Sequence, residues 1–227
     1  MSASYMFDLV GQTWVGGLIA ILFCMTEWLV GVDEAGRGPL AGPVAVGVVA
    51  VPARFDIKKA FPGVNDSKKL TEAKREEIYK EVVRLGRLGT LRYIVGFSSA
   101  GYIDAHGIAR AVRRGVWRGV RHVATPESSF VKLDGLLLAP PEYRQETIIR
   151  GDATEPVISL ASVVAKVRRD RLMKRLAVEY PQYGFEAHKG YGTLAHRQAI
   201  IRFGLCDLHR RSFCKVHNPI DFMASQE

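Results

Sequence analysis

Residues 28–43, WLVGVDEAGRGPLAGP, decide how the rest of the chain is read. The apolar run from Trp28 has the character of a strand buried on both faces, and it halts at two adjacent acids, Asp33 and Glu34. Gly36, Arg37, Gly38, Gly42 and two prolines follow at once, so the strand opens into a loop. Carboxylate oxygens at a strand end suit magnesium or manganese, and the glycines leave backbone N–H groups open to an approaching sugar or phosphate. Side chains alternate along a strand, so the two acids are expected to share one site only if regular strand geometry gives out there. On residue types alone, two solvated acids and a flexible turn account for the same string.

Further along, the pattern of an apolar run closed by an acid and a glycine returns. Residues 44–51 are valine-rich and predict a strand forming a hairpin with the first. A polar loop covers 54–69, a helix is predicted over 71–85, a third strand over 91–97 and one long helix over 103–123. Residues 130–133 then predict a fourth strand ending in Asp134 and Gly135, and 147–149 a short fifth ending at Gly151 and Asp152. Such strand ends side by side would gather four carboxylates, which repel one another unless cations bind between them. Asp170 competes for the fourth place, but Lys166 and Lys174 flank it at helical spacing, which favours an ion-paired structural role.

The complete string DEAGRGPLAGP resembles the signature that opens the bacterial ribonucleases HII, the type 2 ribonucleases H. The resemblance continues in the family's order through NDSKKL (65–70), LDG (133–135), RGD (150–152), ASVVAKVRRD (161–170), HKGYGT (188–193) and HRRSF (209–213). It implies an α/β ribonuclease H-like fold: a mixed five-stranded sheet flanked by helices, with a smaller helical C-terminal region. It also implies a catalytic and metal-binding tetrad of Asp33, Glu34, Asp134 and Asp152 holding two Mg2+ or Mn2+ ions, so that no Ser or His nucleophile is required. The activity implied is hydrolysis 5′ of ribonucleotides, in RNA/DNA hybrids and at single ribonucleotides in duplex DNA, leaving 3′-hydroxyl and 5′-phosphate ends. Family positions further assign Ser67 and Lys68 to backbone phosphates and Gly36, Arg37 and Gly38 to the ribose 2′-hydroxyl, the group that distinguishes RNA from DNA. Tyr191, between two glycines, matches the ring that stacks on the sugar at the RNA to DNA junction, with His188 and Lys189 as secondary substrate-binding candidates.

Composition sets the outer bounds. The 227 residues are 48% hydrophobic, enough for a sizeable core and incompatible with a disordered chain. With 32 basic against 23 acidic residues the net charge is +9, which favours a polyanionic partner but does not choose nucleic acid over an acidic membrane. Three cysteines form no disulfide framework and suit a reducing cytoplasm, the expected location. A monomer is expected.

Residues 1–25 form an atypical apolar extension before a catalytic domain over 26–179 and a substrate-binding region over 180–227. The extension can be read as a marginal membrane helix, as a peripheral apolar segment, or as sequence ahead of a true start at Met25; stable membrane insertion is not expected. No Lys or Arg precedes Arg37, so a signal peptide has no basic leading region. Two other patterns compete with bland explanations. Arg110, Arg113, Arg114, Arg118 and Arg121 recur three and four residues apart, which suits either a solvated helix face or a phosphate track. Cys206, His209, Cys214 and His217 have the residue types of a zinc site, yet His209 already belongs to HRRSF, which needs no metal.

Overall fold

The computed structural model describes residues 27–64 and 70–214. The hairpin expected from the valine-rich runs is β1 (Trp28–Ala35) against β2 (Val44–Pro52), extended on its outer side by β3 (Arg92–Ser98), all antiparallel. On the other side β1 pairs in parallel with β4 (Ser129–Asp134), and β4 with β5 (Arg144–Ile148), giving a mixed five-stranded sheet ordered β3-β2-β1-β4-β5. Parallel neighbours need a crossover, and a helical segment between β3 and β4 carries the chain from one sheet edge back beside β1. The fold class is the one anticipated.

In chain order the helices are α1 (Ile57–Ala60), α2 (Glu72–Arg87), α3 (Ala100–His106), α4 (Ile108–Val123), α5 (Gly151–Thr154), α6 (Pro156–Glu179), α7 (Phe185–His188) and α8 (Leu194–Phe203). Alternation along the strands divides the core into two layers. Val30, Val32, Val46 and Leu133 pack against Val112, Val116 and Val120 of α4. On the opposite face, Val49 and Val51 join Ile78 and Val82 of α2 and Leu160 and Val164 of α6. A third cluster, including Ala41, Met173, Phe185 and Ile200, ties the loop after β1 to the C-terminal helices.

Helix α6 lies directly on the central hairpin because Gly31 and Gly47 carry no side chain. A Cβ on Gly31 would stand 2.1 Å from the Val157 carbonyl oxygen, and one on Gly47 2.3 Å from that of Ala161. Such distances are far inside van der Waals contact, so a methyl at either position would force the helix off the sheet.

The single helix expected over 103–123 is instead α3 and α4, broken at Gly107 (φ 79°). That residue does two jobs: its N–H donates to the Ile103 carbonyl, closing α3, and its own carbonyl accepts from the Ala111 N–H, opening α4. Among the described residues no helix is long and apolar enough to cross a membrane, and the extension over 1–25 lies outside them.

Candidate active site

Register along the sheet places the first two acids. Leu29, Gly31 and Asp33 share the face of β1 covered by α6, and the parallel ladder with β4 runs as far as Val32 opposite Leu133. One residue further, Asp33 and Asp134 follow side by side on that same face. Asp33 is only 5% exposed; its Oδ1 accepts the Glu34 backbone N–H at 2.7 Å, and its carboxylate is hydrogen-bonded to Ser162 of α6. Burial pushes the Asp33 carboxyl up to about 8; the Ser162 bond opposes the rise and the charges of Glu34 and Asp134 add to it.

Regular strand geometry does not give out at the acids. Asp33 and Glu34 stay in the ladder opposite Gly47 and Val46, and β1 ends only at Ala35. They reach one cleft because the sheet itself ends there: Glu34 turns over the edge, where its Oε1 accepts from the Arg37 guanidinium at 3.1 Å. Asp152 also departs from expectation. It belongs to the single turn of α5 beyond β5 rather than to a strand end. Its backbone N–H points at Asp134 Oδ1, 3.4 Å away, and the residue is 1% exposed, so it lies behind Asp134 and not on the cleft wall.

The cleft has a volume of about 420 Å³. Asp33, Glu34 and Asp134 form its acidic side, the Gly36–Arg37–Gly38 loop and Tyr191 its rim, and Ser162, Lys166 and Arg75 complete it. Tyr191 is 44% exposed, available for stacking on a ligand. Among the described residues, no three acidic, histidine or cysteine side chains are grouped tightly enough to hold an ion unaided. Magnesium asks for less than that, since it keeps several waters and takes one or two carboxylates together with substrate phosphates. An all-oxygen donor set whose central acid is disfavoured as an anion chiefly by burial, and further by the charges of Glu34 and Asp134, therefore fits Mg2+ or Mn2+.

Other expected site residues are placed elsewhere. His188 faces inward: Nδ1 accepts the Gly190 N–H at 3.2 Å and Nε2 bonds the Tyr183 carbonyl at 2.8 Å, which engages both ring nitrogens with backbone. Lys189 bends its ammonium back onto the Glu186 and Ala187 carbonyls and does not line the cleft. Ser67 and Lys68 lie outside the described residues. Asp170 pairs with Lys166 at 2.9 Å, whereas Lys174 pairs with Glu72 instead. His209 is occupied by Cys206 through Nδ1 and by His196 through Nε2 (3.1 Å), and His217 lies outside the described residues.

Two buried arginines hold the glycine loop from beneath. Arg210 donates to the carbonyls of Gly36 (2.7 Å), Arg37 (2.8 Å) and Gly42 (2.9 Å). Arg169 donates to Pro43 (2.9 Å), lies under Gly36 where a Cβ would collide with its guanidinium, and has its charge 5.9 Å from the Tyr191 ring centre. Burial lowers both pKa values, that of Arg210 to about 10, yet each stays protonated at neutral pH. Both residues stand inside motif blocks, ASVVAKVRRD and HRRSF, but only the fold shows what they touch.

A model of the ribonuclease HII family matches residues 30–216, most of the chain. The chain belongs to the ribonuclease HII family. The ribonuclease HII of Desulfitobacterium hafniense is 40% identical over 212 residues, covering 93% of this chain and 75% of that protein. Likeness in fold extends to the crystal structure of ribonuclease H2 from Pyrococcus horikoshii OT3 (TM-score 0.65, 24% identity, 82% of this chain and 93% of that one). It extends also to Bst-RNase HIII in complex with Mn2+ (TM-score 0.64, 17% identity, 89% and 71%). Membership in the ribonuclease HII family makes the chain a metal-dependent endonuclease and implies cleavage of RNA in RNA/DNA hybrids.

Proposed function

We propose that this ribonuclease HII cuts on the 5′ side of ribonucleotides, both in RNA/DNA hybrids and at single ribonucleotides embedded in duplex DNA, leaving 3′-hydroxyl and 5′-phosphate ends. Asp33, Glu34 and Asp134 on the cleft wall would hold two divalent ions, Mg2+ or Mn2+, with Asp152 completing the tetrad from behind Asp134. Ions bound there supply an activated water and offset charge on the leaving oxygen. The observation that carries this reading is the single cleft that joins a buried, mutually repelling acid cluster to a glycine loop and an exposed tyrosine.

Each side of the cleft has its own task. The Gly36–Arg37–Gly38 backbone offers close approach to a sugar 2′-hydroxyl, and its shape rests on the positive φ of Gly36 together with the Arg210 bonds. Tyr191 presents its ring to a sugar on the far rim, and His196 steadies it by bonding the Tyr191 carbonyl at 2.8 Å. Arg37, Lys166 and Arg75 bring positive charge to the edge of the acidic side, where a phosphodiester must approach carboxylates that would otherwise repel it. Ser162 keeps Asp33 oriented toward Asp134.

Cleavage of a DNA duplex containing one ribonucleotide, with and without magnesium, tests the proposal. Wild type should cut 5′ of the ribonucleotide only with magnesium, and Asp134→Asn should bind the duplex without cutting it. Full activity of Asp134→Asn, or cutting of an all-DNA duplex at the same rate, would rule the proposal out.

A further inference from the structure

Arg37 lines two clefts. Beyond the acidic one it also forms part of a second, about 390 Å³, between α4 and the loop that follows Asp134. Its cationic side is Arg110 and Arg113 in the first turns of α4, beside His106 at the end of α3; its apolar side is Leu136 and Leu138. No acid lines it. Among the described residues, none of His106, Arg110 and Arg113 has a carboxylate partner, whereas Arg121 on the same helix is paired with Glu142 at 2.8 Å. The charges are positioned rather than loose. Arg113 stands over the Trp117 ring (5.8 Å), a contact that uses the ring face and leaves its N–H donors unspent, while His106 stacks on Tyr102 (4.2 Å) and is fixed by its Nδ1 on the Tyr102 carbonyl at 3.2 Å.

The leucines make the cleft more than a solvated basic face. Leu136 is 93% exposed and Leu138 59%, a costly arrangement for two large apolar side chains on one short loop unless something covers them. A ligand that meets both sides must alternate anionic and apolar groups at close range, as a sugar–phosphate backbone does. Continuity with the acidic cleft through Arg37 places that backbone on the path of the substrate.

We infer that this second cleft is a phosphate-binding extension of the active site, in which Arg110 and Arg113 hold backbone phosphates of the duplex flanking the cut while Leu136 and Leu138 pack on its sugars. The inference rests on the nuclease reading above. The rest of the arginine row plays another part: Arg114 and Arg118 turn to a groove on the β3 side of α4, away from Arg37.

The test is the salt dependence of binding to a duplex of about 24 base pairs carrying one ribonucleotide, measured in the Asp134→Asn background so that nothing is cut. Each phosphate contact contributes roughly 0.9 to the slope of log affinity against log salt, so Arg110→Gln/Arg113→Gln should lower the slope by about 1.8 and weaken binding at 0.15 M salt roughly 10- to 30-fold. Arg110→Lys/Arg113→Lys should restore the slope. Arg114→Gln/Arg118→Gln removes the same charge from the same helix and should change the slope by no more than a few tenths. An unchanged slope in Arg110→Gln/Arg113→Gln overturns the inference and leaves the cleft to an acidic peptide partner; equal losses in both Gln pairs overturn it in favour of bulk charge. Cleavage of the same duplex by the wild type is assayed in parallel, and its absence would remove the nuclease reading and this inference with it.

Discussion

In the absence of divalent ions, Asp33→Asn should make the protein more stable, although it removes a buried hydrogen-bonding acid at the end of the central strand. The Asp33 carboxyl is raised from 3.8 to about 8, chiefly by burial, with the Glu34 and Asp134 charges adding. An unfolded chain therefore ionises Asp33 from pH 4 upward while the folded chain resists until about pH 8, so each step of pH across that window favours unfolding. Integrated to pH 7, the contribution lost is at most about 4 kcal/mol. Asparagine carries no such charge and keeps an oxygen for the Glu34 N–H now bonded at 2.7 Å. Even about 1–2 kcal/mol of net gain corresponds to roughly 2–8 °C in Tm for a chain of this length. Thermal melts in EDTA should show the gain growing from pH 5 to pH 8, and added Mg2+ should narrow it by stabilising the wild type more than the variant. A variant that melts at or below the wild type in EDTA at pH 8 would refute the picture of Asp33 as a strained, cation-requiring acid.

Three further outcomes follow from the same geometry. Tyr191→Ala removes the exposed ring at the rim and should lower kcat/KM on a one-ribonucleotide duplex by about 1–3 kcal/mol of stacking, roughly 5- to 150-fold, with thermal stability little changed. Arg210→Met strips three carbonyls of their donor and should cost about 3 kcal/mol in urea unfolding, with a loss of preference for ribose over deoxyribose that Arg210→Lys partly recovers. His196 is buried and held near 4 against an ordinary 6.5; its folded pKa lies below the unfolded one, so its stabilisation is complete above pH 6.5 and lost as pH falls toward 4. Urea unfolding in the Asp33→Asn background, where the opposing carboxyl is gone, should therefore lose up to about 3 kcal/mol over that range, and a flat profile would contradict it.

Much of the site was legible because its signals are local. An apolar run closed by acids and glycines marks a strand end wherever it occurs, and the valine run after the prolines could pair with little else, so β1, β2, β4 and three of the acids read directly. Asp152 was placed one element too early, since a single helical turn after β5 leaves no periodicity to see. The break at Gly107 was hidden by continuous helical spacing on both sides, where one left-handed residue suffices to cap both helices. Arg169 and Arg210 could not be found by spacing at all: the carbonyls they hold lie 126 to 174 residues away in the chain. The backbone contacts of His188 were hidden in the same way: its ring bonds the Tyr183 carbonyl and the Gly190 N–H in the turn that presents Tyr191.

Asp33 and Asp134 must jointly gather divalent ions for the site to work as proposed. Titration of Mn2+ followed by electron paramagnetic resonance, in the presence of a duplex lacking a scissile ribonucleotide, measures that directly. Wild type should take up Mn2+, with uptake sharply weakened in both Asp33→Asn and Asp134→Asn; undiminished uptake in either variant would contradict the account.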